Sequence, residues 1–406
     1  SVADQETQER INLLHEKIAD KEKEVSLSKQ EIASTKDFIK SLPAKDIIHG
    51  KQYHYPLENI RERKATEKAG TWYFRNSIDN NYVIDNTLMA FSHRPSTSVK
   101  GKVGNALEFK GNFDWLHLRK TGLLEIYDSY SAAMWVNTSK KKEGLTLSQL
   151  STACTKDESW RGWDFYLVSH NRLNVRLIHC LPHNYVHVRT LDSIEVNQWQ
   201  HVAFTYDGSG DGEGFRLYID GEEADTQVEF DQVYKTIFPP GAKDKESDRR
   251  PIRVSTSYRA FTGEYGVFKG KIDEIRLFER TLSSLEIGMV AGNLSLEELQ
   301  QHPQQQEFLS EYWLKRDSRL KEEEKELYDL RKEWLEVMNS IPEVMVMEEL
   351  PTPRKAYAYG RGEYDAPMYE VFPATPEAVL TFPEDLPQNR LGLAQWLFDE
   401  NNPLTA

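Results

Sequence analysis

Apolar residues recur at every seventh position near the start of the chain, at Ile11, Ile18, Val25, Ile32 and Ile39, with no Gly or Pro between residues 5 and 42. The adjacent seam is weaker, keeping Leu14 and Leu42 but passing through Lys21, Ser28 and Thr35. This spacing predicts a coiled-coil helix. The same period returns at Trp313, Leu320, Leu327, Trp334 and Ile341, flanked by Leu309, Leu330 and Val337. Its outward run KEEEKE (321–326) reads as solvated surface. Two matched heptad segments predict an antiparallel coiled-coil hairpin, a stalk of roughly 50 Å for about 35 residues at ~1.5 Å each. The alternative is that each helix packs elsewhere or dimerises with its own copy.

Between the helices the period changes from seven to two. Short runs at 71–74, 106–109, 115–118, 132–136, 165–168, 173–178, 201–206, 215–219 and 275–278 are bounded by Gly, Asn, Asp and Ser. Many strands without intervening helices predict a β-sandwich or barrel. The turn dipeptides Asp207-Gly208 and Asp220-Gly221 each follow a strand directly. From Pro342 onward, prolines at 351, 353, 367, 373, 376, 383 and 387 break any long element until helical spacing resumes at 390–397. The expected fold class is therefore mainly β with α, a sandwich inserted between two long helices. The expected domains are a helix (1–45), a linker (46–69), the sandwich (70–292), a second coiled-coil helix (293–341) and an extended Pro-rich segment that begins a further domain (342–406).

At 406 residues the chain exceeds what one core organises, and 39% hydrophobic residues suffice for more than one. A net charge of -14 disfavours nucleic acid as the main partner. No apolar run is long enough to span a membrane. Cys154 and Cys180 lack CxxC, CxxCH or zinc-ligand spacing, so no haem site is expected in this section, and their pairing stays open. Ser1 opens no leader, and both ends read as cuts within a longer protein.

Four strings carry a resemblance: GNALEFKG (104–111), YSAAMWV (130–136), WQHVAFTYDGS (199–209) with LYIDG (217–221), and FKGKIDEIRLF (268–278). Together they resemble the LamG-like family of concanavalin A-type jelly-roll domains. A narrower set, SWRGWD (159–164), PEVMVM (342–347), RGEY (361–364), PQNRLGLAQWL (387–397) and NPLTA (402–406), resembles large exported planctomycete-type proteins. In those, a c-type cytochrome domain and domains of unknown function flank a LamG-like insert. That resemblance implies an extracytoplasmic location and partners among the other domains of the same protein.

Catalysis on such a fold is usually glycoside hydrolysis by two nearby carboxylates. No Glu-x-Asp-x-x-Glu string occurs in a strand, and Asp273 and Glu274 are expected on opposite faces, so no enzyme is expected in this section. The loop at 76–81, with Asp79, offers oxygens for calcium. The resemblance implies Asp273 as its partner, with Asp114 a weaker candidate; otherwise Asp273 simply caps a turn. For a glycan or protein partner, Trp160, Arg161, Trp163 and Asp164 form one candidate cluster and His183, Asn184 and Tyr185 another. Core packing is expected to claim Trp163. His179, His183 and His187 recur every fourth position, a surface row rather than a zinc site. The expected function is non-catalytic carbohydrate or protein binding, the alternative a structural insert without its own ligand.

Overall fold

A computed structural model describes residues 3–35, 42–43, 47–48, 52–58, 61–62, 82–85, 90–92, 97–111, 115–118, 124–138, 144–150, 161–168, 171–238, 252–255, 268–343, 354–362 and 365–405. The chain forms two compact units, Ser1–Pro342 and Glu343–Ala406.

The first unit opens with α1 (Gln5–Ser34), capped by Asp4, whose side chain accepts from Thr7 N. Strands β1 (Gln52–Tyr55), β2 (Arg61–Glu62), β3 (Tyr82–Asp85), β4 (Ala90–Ser92), β5 (Thr97–Lys100), β6 (Asn105–Lys110) and β7 (Leu116–Leu118) follow. Next come β8 (Tyr130–Thr138), β9 (Gly144–Leu150), β10 (Gly162–Val168), β11 (Arg172–Cys180), β12 (Asn184–Ser193) and β13 (Gln200–Tyr206). The strands end with β14 (Phe215–Ile219), β15 (Glu222–Glu223), β16 (Thr226–Gln232), β17 (Ile252–Val254) and β18 (Lys269–Phe278). Helices α2 (Ser284–Val290), α3 (Leu296–Leu299), α4 (Gln305–Leu314) and α5 (Ser318–Ser340) complete the unit.

The back sheet runs β15-β14-β13-β8-β18-β6-β5, with β1 also paired to β18. The front sheet runs β16-β12-β11-β10-β9-β17-β7-β4-β3-β2. Alternation along each strand sends one set of side chains between the sheets. Leu107, Phe109, Met134, Phe204, Leu217 and Leu277 from the back sheet meet Trp163, Phe165, Val175 and Val186 from the front. Each such buried side chain contributes about 1.5–3 kcal/mol of transfer free energy. The sandwich expected from the pattern, of the jelly-roll type that the resemblance implies, is thus present.

Its bounds differ from the expected ones. The strand expected at 71–74 lies outside the described residues. Strand β1, within the expected linker, pairs antiparallel with β18, and its Tyr53 and Tyr55 are buried. Four residues are too short a run for a period-two pattern to stand out.

The second heptad segment is not one helix. Asp317 caps a new start by accepting from Leu320 N, so Trp313 belongs to α4. There it packs near Ile47, Leu285, Leu309 and Tyr312, and α2 covers Ala133, Ala203 and Tyr218 of the back sheet. Helices α1 and α5 run antiparallel, since Arg10 bonds Glu333, Lys21 bonds Glu326 and Arg319 bonds Glu31. However, Ile11, Leu14, Trp334, Leu335, Val337 and Ile341 share one core with the sandwich. Arg331 donates to Gly208 O at 3.0 Å, and the buried Lys235 donates to Ile341 O at 2.6 Å. The pair lies along the sandwich over the α5 segment from Tyr328 to Ile341, not beneath it as a stalk with the sandwich at its tip. The large aromatic Trp334 supplies the reason: its area is buried where α1, through His15, and the sandwich, through Tyr127, both meet α5.

The second unit contains an antiparallel hairpin of β19 (Ala356–Tyr359) and β20 (Pro367–Val371), and α6 (Arg390–Leu397). Asn389 caps α6, and Trp396 Nε1 donates to Leu380 O at 3.0 Å.

Candidate functional site

The polar positions of the front sheet gather on its outer face. In β10, Trp163, Phe165 and Leu167 point into the core, so Asp164 and Tyr166 point away from it. Register across the sheet sets Asp164 beside Arg176, Arg176 beside His187, and His187 beside Phe230. A second row, one step along, holds Tyr166, Asn174 and Arg189.

These side chains form a continuous network. Asp164 is 0% exposed and receives Arg176 through Nε at 2.9 Å and through Nη2, a bidentate ion pair. The same guanidinium sits 4.5 Å from the centre of the Tyr166 ring. His187 Nε2 lies 2.9 Å from Asn174 Oδ1 and 3.3 Å from the Tyr166 hydroxyl. Because Asn174 Oδ1 only accepts, Nε2 carries the proton in this bond. Burial, reinforced by Arg176, pushes the His187 imidazolium down to about 4, so the ring is neutral near pH 7. Exposure rises towards β16, where Tyr185 and Phe230 are half-buried and stack at 4.2 Å with planes 7° apart. Arg189 closes that side with bonds to Glu229 and Gln227.

The expected clusters divide. Trp160 lies outside the described residues. Arg161 is half-buried, with a buried Nε that has no partner among the described residues. Trp163 is core, 5.7 Å from Phe204 and 5.6 Å from Tyr130. Only Asp164 of that string joins the face. In the second cluster His183 is exposed in a turn, while Asn184 is buried and its Oδ1 accepts from Tyr234 N at 3.1 Å. Tyr185 reaches the face. The histidines do not form a surface row: His179 is buried with Nδ1 2.6 Å from Thr236 O, and His187 points the opposite way. Arg176, Tyr166, Asn174 and Phe230 carried no motif; their common signal is strand parity, visible once β10, β11, β12 and β16 are in register.

Asp273 serves the back sheet. Its Oδ2 accepts from Lys102 N and Val103 N at 2.9 and 3.0 Å, and Oδ1 from Glu274 N at 2.9 Å. Burial pushes this carboxyl up to about 6. Glu274 has φ of 51°, a bulge that leaves both Ile272 and Ile275 in the core. Asp273 and Glu274 therefore share the outer face, against the expectation from simple alternation. Asp79 and Asp114 lie outside the described residues. Among the described residues no group of three or more His, Cys, Asp or Glu could hold a metal. Cys180 is a free thiol, and Cys154 lies outside the described residues.

Residues 110–288 match the family described as the concanavalin A-like lectin/glucanases superfamily. The chain is also similar to domain 4 of AbnA, a GH43 extracellular arabinanase from Geobacillus stearothermophilus, in complex with arabinotriose (19% identity, 59% of this chain, 96% of that chain, TM-score 0.36). It is similar to the binding domain of Paraclostridial Mosquitocidal Protein 1 (12% identity, TM-score 0.34), covering 54% of this chain and 50% of that one. A third similar structure is the CBM40 of the Ruminococcus gnavus IT-sialidase bound to alpha2,3 sialyllactose (16% identity, 41% of this chain, 83% of that chain, TM-score 0.31). No curated protein matches the chain.

Proposed function

We propose that the sandwich is a non-catalytic carbohydrate-binding module of a larger extracytoplasmic protein, and that its ligand is a neutral glycan held on the outer face of the front sheet. The observation that carries this reading is the gradient across the Asp164, Arg176, His187 and Phe230 row. A pre-bonded polar network at one end passes into a half-open aromatic pair at the other. Sugars offer apolar C–H faces for stacking and hydroxyls for neutral donors and acceptors; the half-buried His187 supplies the latter, and the buried Asn174 and Tyr166 orient its ring from behind. Asp164 is committed to Arg176 rather than to proton transfer, which speaks for binding over hydrolysis.

A glycan array of plant, algal and bacterial polysaccharides tests the proposal. Binding weakened about tenfold by Phe230→Ala, the loss of one aromatic contact, and weakened again by His187→Ala supports it. Silence across the array, or capture of a protein partner insensitive to both changes, overturns it.

One observation favours a second reading, a structural insert without its own ligand. The α1 and α5 pair is fused to the sandwich core through Trp334, Leu335 and Ile341, which fixes the module rigidly in its chain. That role predicts an unchanged fold and no ligand in the same array.

A further inference from the structure

The outer face of the front sheet is open over part of its width only. On β10 and β11 the outward positions Asp164, Tyr166, Asn174, Arg176 and Ile178 are at most 3% exposed. On β12 outward and buried positions alternate: Tyr185, His187 and Arg189 are half-buried, while Val186, Val188 and Thr190 are buried, and Leu191 follows at 45% exposed. Strand β16 runs beside them at the end of the sheet order, with Phe230 half-buried and Gln227, Glu229 and Gln232 exposed. The open surface is therefore a lane two strands wide that runs along the strands rather than across them. From Tyr185 to Leu191 it measures roughly 20 Å, at about 3.3 Å per residue.

Chemistry alternates along this lane. At one end the stacked Tyr185 and Phe230 give an aromatic surface. Next to it, Asn174 Nδ2 donates to Arg172 O at 2.9 Å, which turns Oδ1 towards His187 and keeps the imidazole proton on Nε2. The other ring nitrogen, Nδ1, is thus a bare acceptor without a partner among the described residues. Beyond it Arg189 donates to Glu229 through Nε and to Gln227 Oε1 through Nη2 at 3.1 Å, so Gln227 keeps its amide N–H groups for donation. Leu191 ends the series with an exposed apolar side chain. The charges of Arg189 and Glu229 match each other, and burial keeps His187 uncharged near pH 7. The outer edge of β16 is guarded against pairing with another strand, because its ladder to β12 shifts register between His187 and Val188 and the exposed Asp231 stands beside that bulge.

We infer that the lane on β12 and β16 takes a linear neutral glycan lengthwise, over several consecutive sugar units; the inference rests on the carbohydrate-binding reading above and adds the direction and length of the ligand. Charge complementarity selects the occupant. The ion pair in the middle of the lane is already matched, so a polyanion or polycation finds no opposite net charge there, and a second copy of the chain would have to pair with a bulged edge. A linear glycan offers in turn a C–H face to Phe230, a hydroxyl proton to His187 Nδ1 and a hydroxyl oxygen to the Gln227 amide. Asp164, Arg176, Tyr166 and Asn174 lie behind the lane and act through His187 rather than on the sugar.

The test measures the affinity of the full chain for cello-, xylo- and arabino-oligosaccharides, from disaccharide to hexasaccharide, by titration calorimetry. In a series that binds, the hexasaccharide is expected to bind at least about tenfold more tightly than the disaccharide, the gain of one or two hydrogen bonds. Leu191→Asp and, separately, Gln227→Ala are each expected to reduce that gain while leaving the disaccharide affinity and the melting temperature as in wild type. Phe230→Ala is expected to weaken both lengths. A disaccharide bound as tightly as the hexasaccharide, or a hexasaccharide indifferent to both far-end variants, overturns the lengthwise lane and leaves the carbohydrate-binding reading standing. Absence of binding in all three series overturns the inference, and the reading with it if the polysaccharide array is silent as well. A dimer of the unliganded chain in sedimentation that Leu191→Asp dissociates would make the lane a self-interface and also overturn the inference.

Discussion

Trp163 and Asp164 are neighbours in the chain and lie on opposite sides of one strand: the indole is packed between the sheets against Phe204 and Tyr130, and the carboxylate is bound by Arg176 on the outer face. One substitution therefore probes packing and the next probes the polar network. Trp163→Ala should cost about 3–5 kcal/mol of folding stability, measured by urea unfolding. A loss under 1 kcal/mol would mean that the ring is not part of the core.

The ion pair on the other side predicts non-additivity. Asp164→Leu alone strands a buried guanidinium and should cost about 3–5 kcal/mol, as should Arg176→Met alone, while the double variant recovers most of that loss. A double-mutant cycle with purely additive costs would show that the two groups do not interact as described.

Acid sensitivity follows from two buried imidazoles. Burial, with Arg276 adding to it, pushes His201 down to about 3, and His187 is held at about 4. Both folded-state values lie below the unfolded value of about 6.5. Their contribution is thus fully present above that pH and is lost as pH falls through the folded values. The slope is up to about 1.4 kcal/mol per pH unit for each group. Asp273 works in the other direction: its folded value of about 6 is raised, so its contribution is present below about pH 4 and is lost as pH rises through 6. Stability followed by denaturant melts from pH 7 to 3 should fall less steeply in His201→Phe than in wild type. Equal slopes would contradict a buried neutral His201.

Asp273 also allows a test of what it holds. Its three amide bonds fasten the turn at residues 101–104 to the bulge in β18, and a Cβ placed on Gly101 would come within 2.5 Å of its carboxylate. Asp273→Ala should lower stability by roughly 2–4 kcal/mol through the orphaned amides, with the same melting shift in calcium and in a chelator. A shift that appears only in calcium would instead make Asp273 a calcium ligand.

Trp334 joins the helices to the sandwich, edge-on to His15 at 5.2 Å and 6.5 Å from Tyr127. Trp334→Ala is expected to cost about 3–5 kcal/mol and to lower the melting of the helices and the strands together. Separate transitions by far-UV and near-UV circular dichroism would show two independent parts.

Periodicity revealed the sandwich and both heptad helices because burial on one face leaves a mark every second or every seventh residue. It missed β1, whose four residues make too short a pattern, and the break at Asp317, where a cap interrupts the helix without disturbing the heptad. Asp164 and Tyr185 could be picked out as chemistry-bearing residues, but their partners could not. Arg176 lies 12 positions from Asp164, and Phe230 lies 45 positions beyond Tyr185; only strand register brings them together. The bulge at Glu274 changed the expected faces of an adjacent pair because one left-handed residue resets the alternation.

The antiparallel course of α1 and α5 places Arg10 against Glu333, so the first turns of one helix meet the last turns of the other. A mechanical load applied between those two ends would act in an unzipping direction. The Arg10–Glu333 contact would open first and the pairs at Lys21 and Arg319 later, each bearing the force in turn rather than sharing it. The resistance at that end would then come from the sandwich itself, through the bonds that Lys235 and Thr236 make to Ile341 and Asn339.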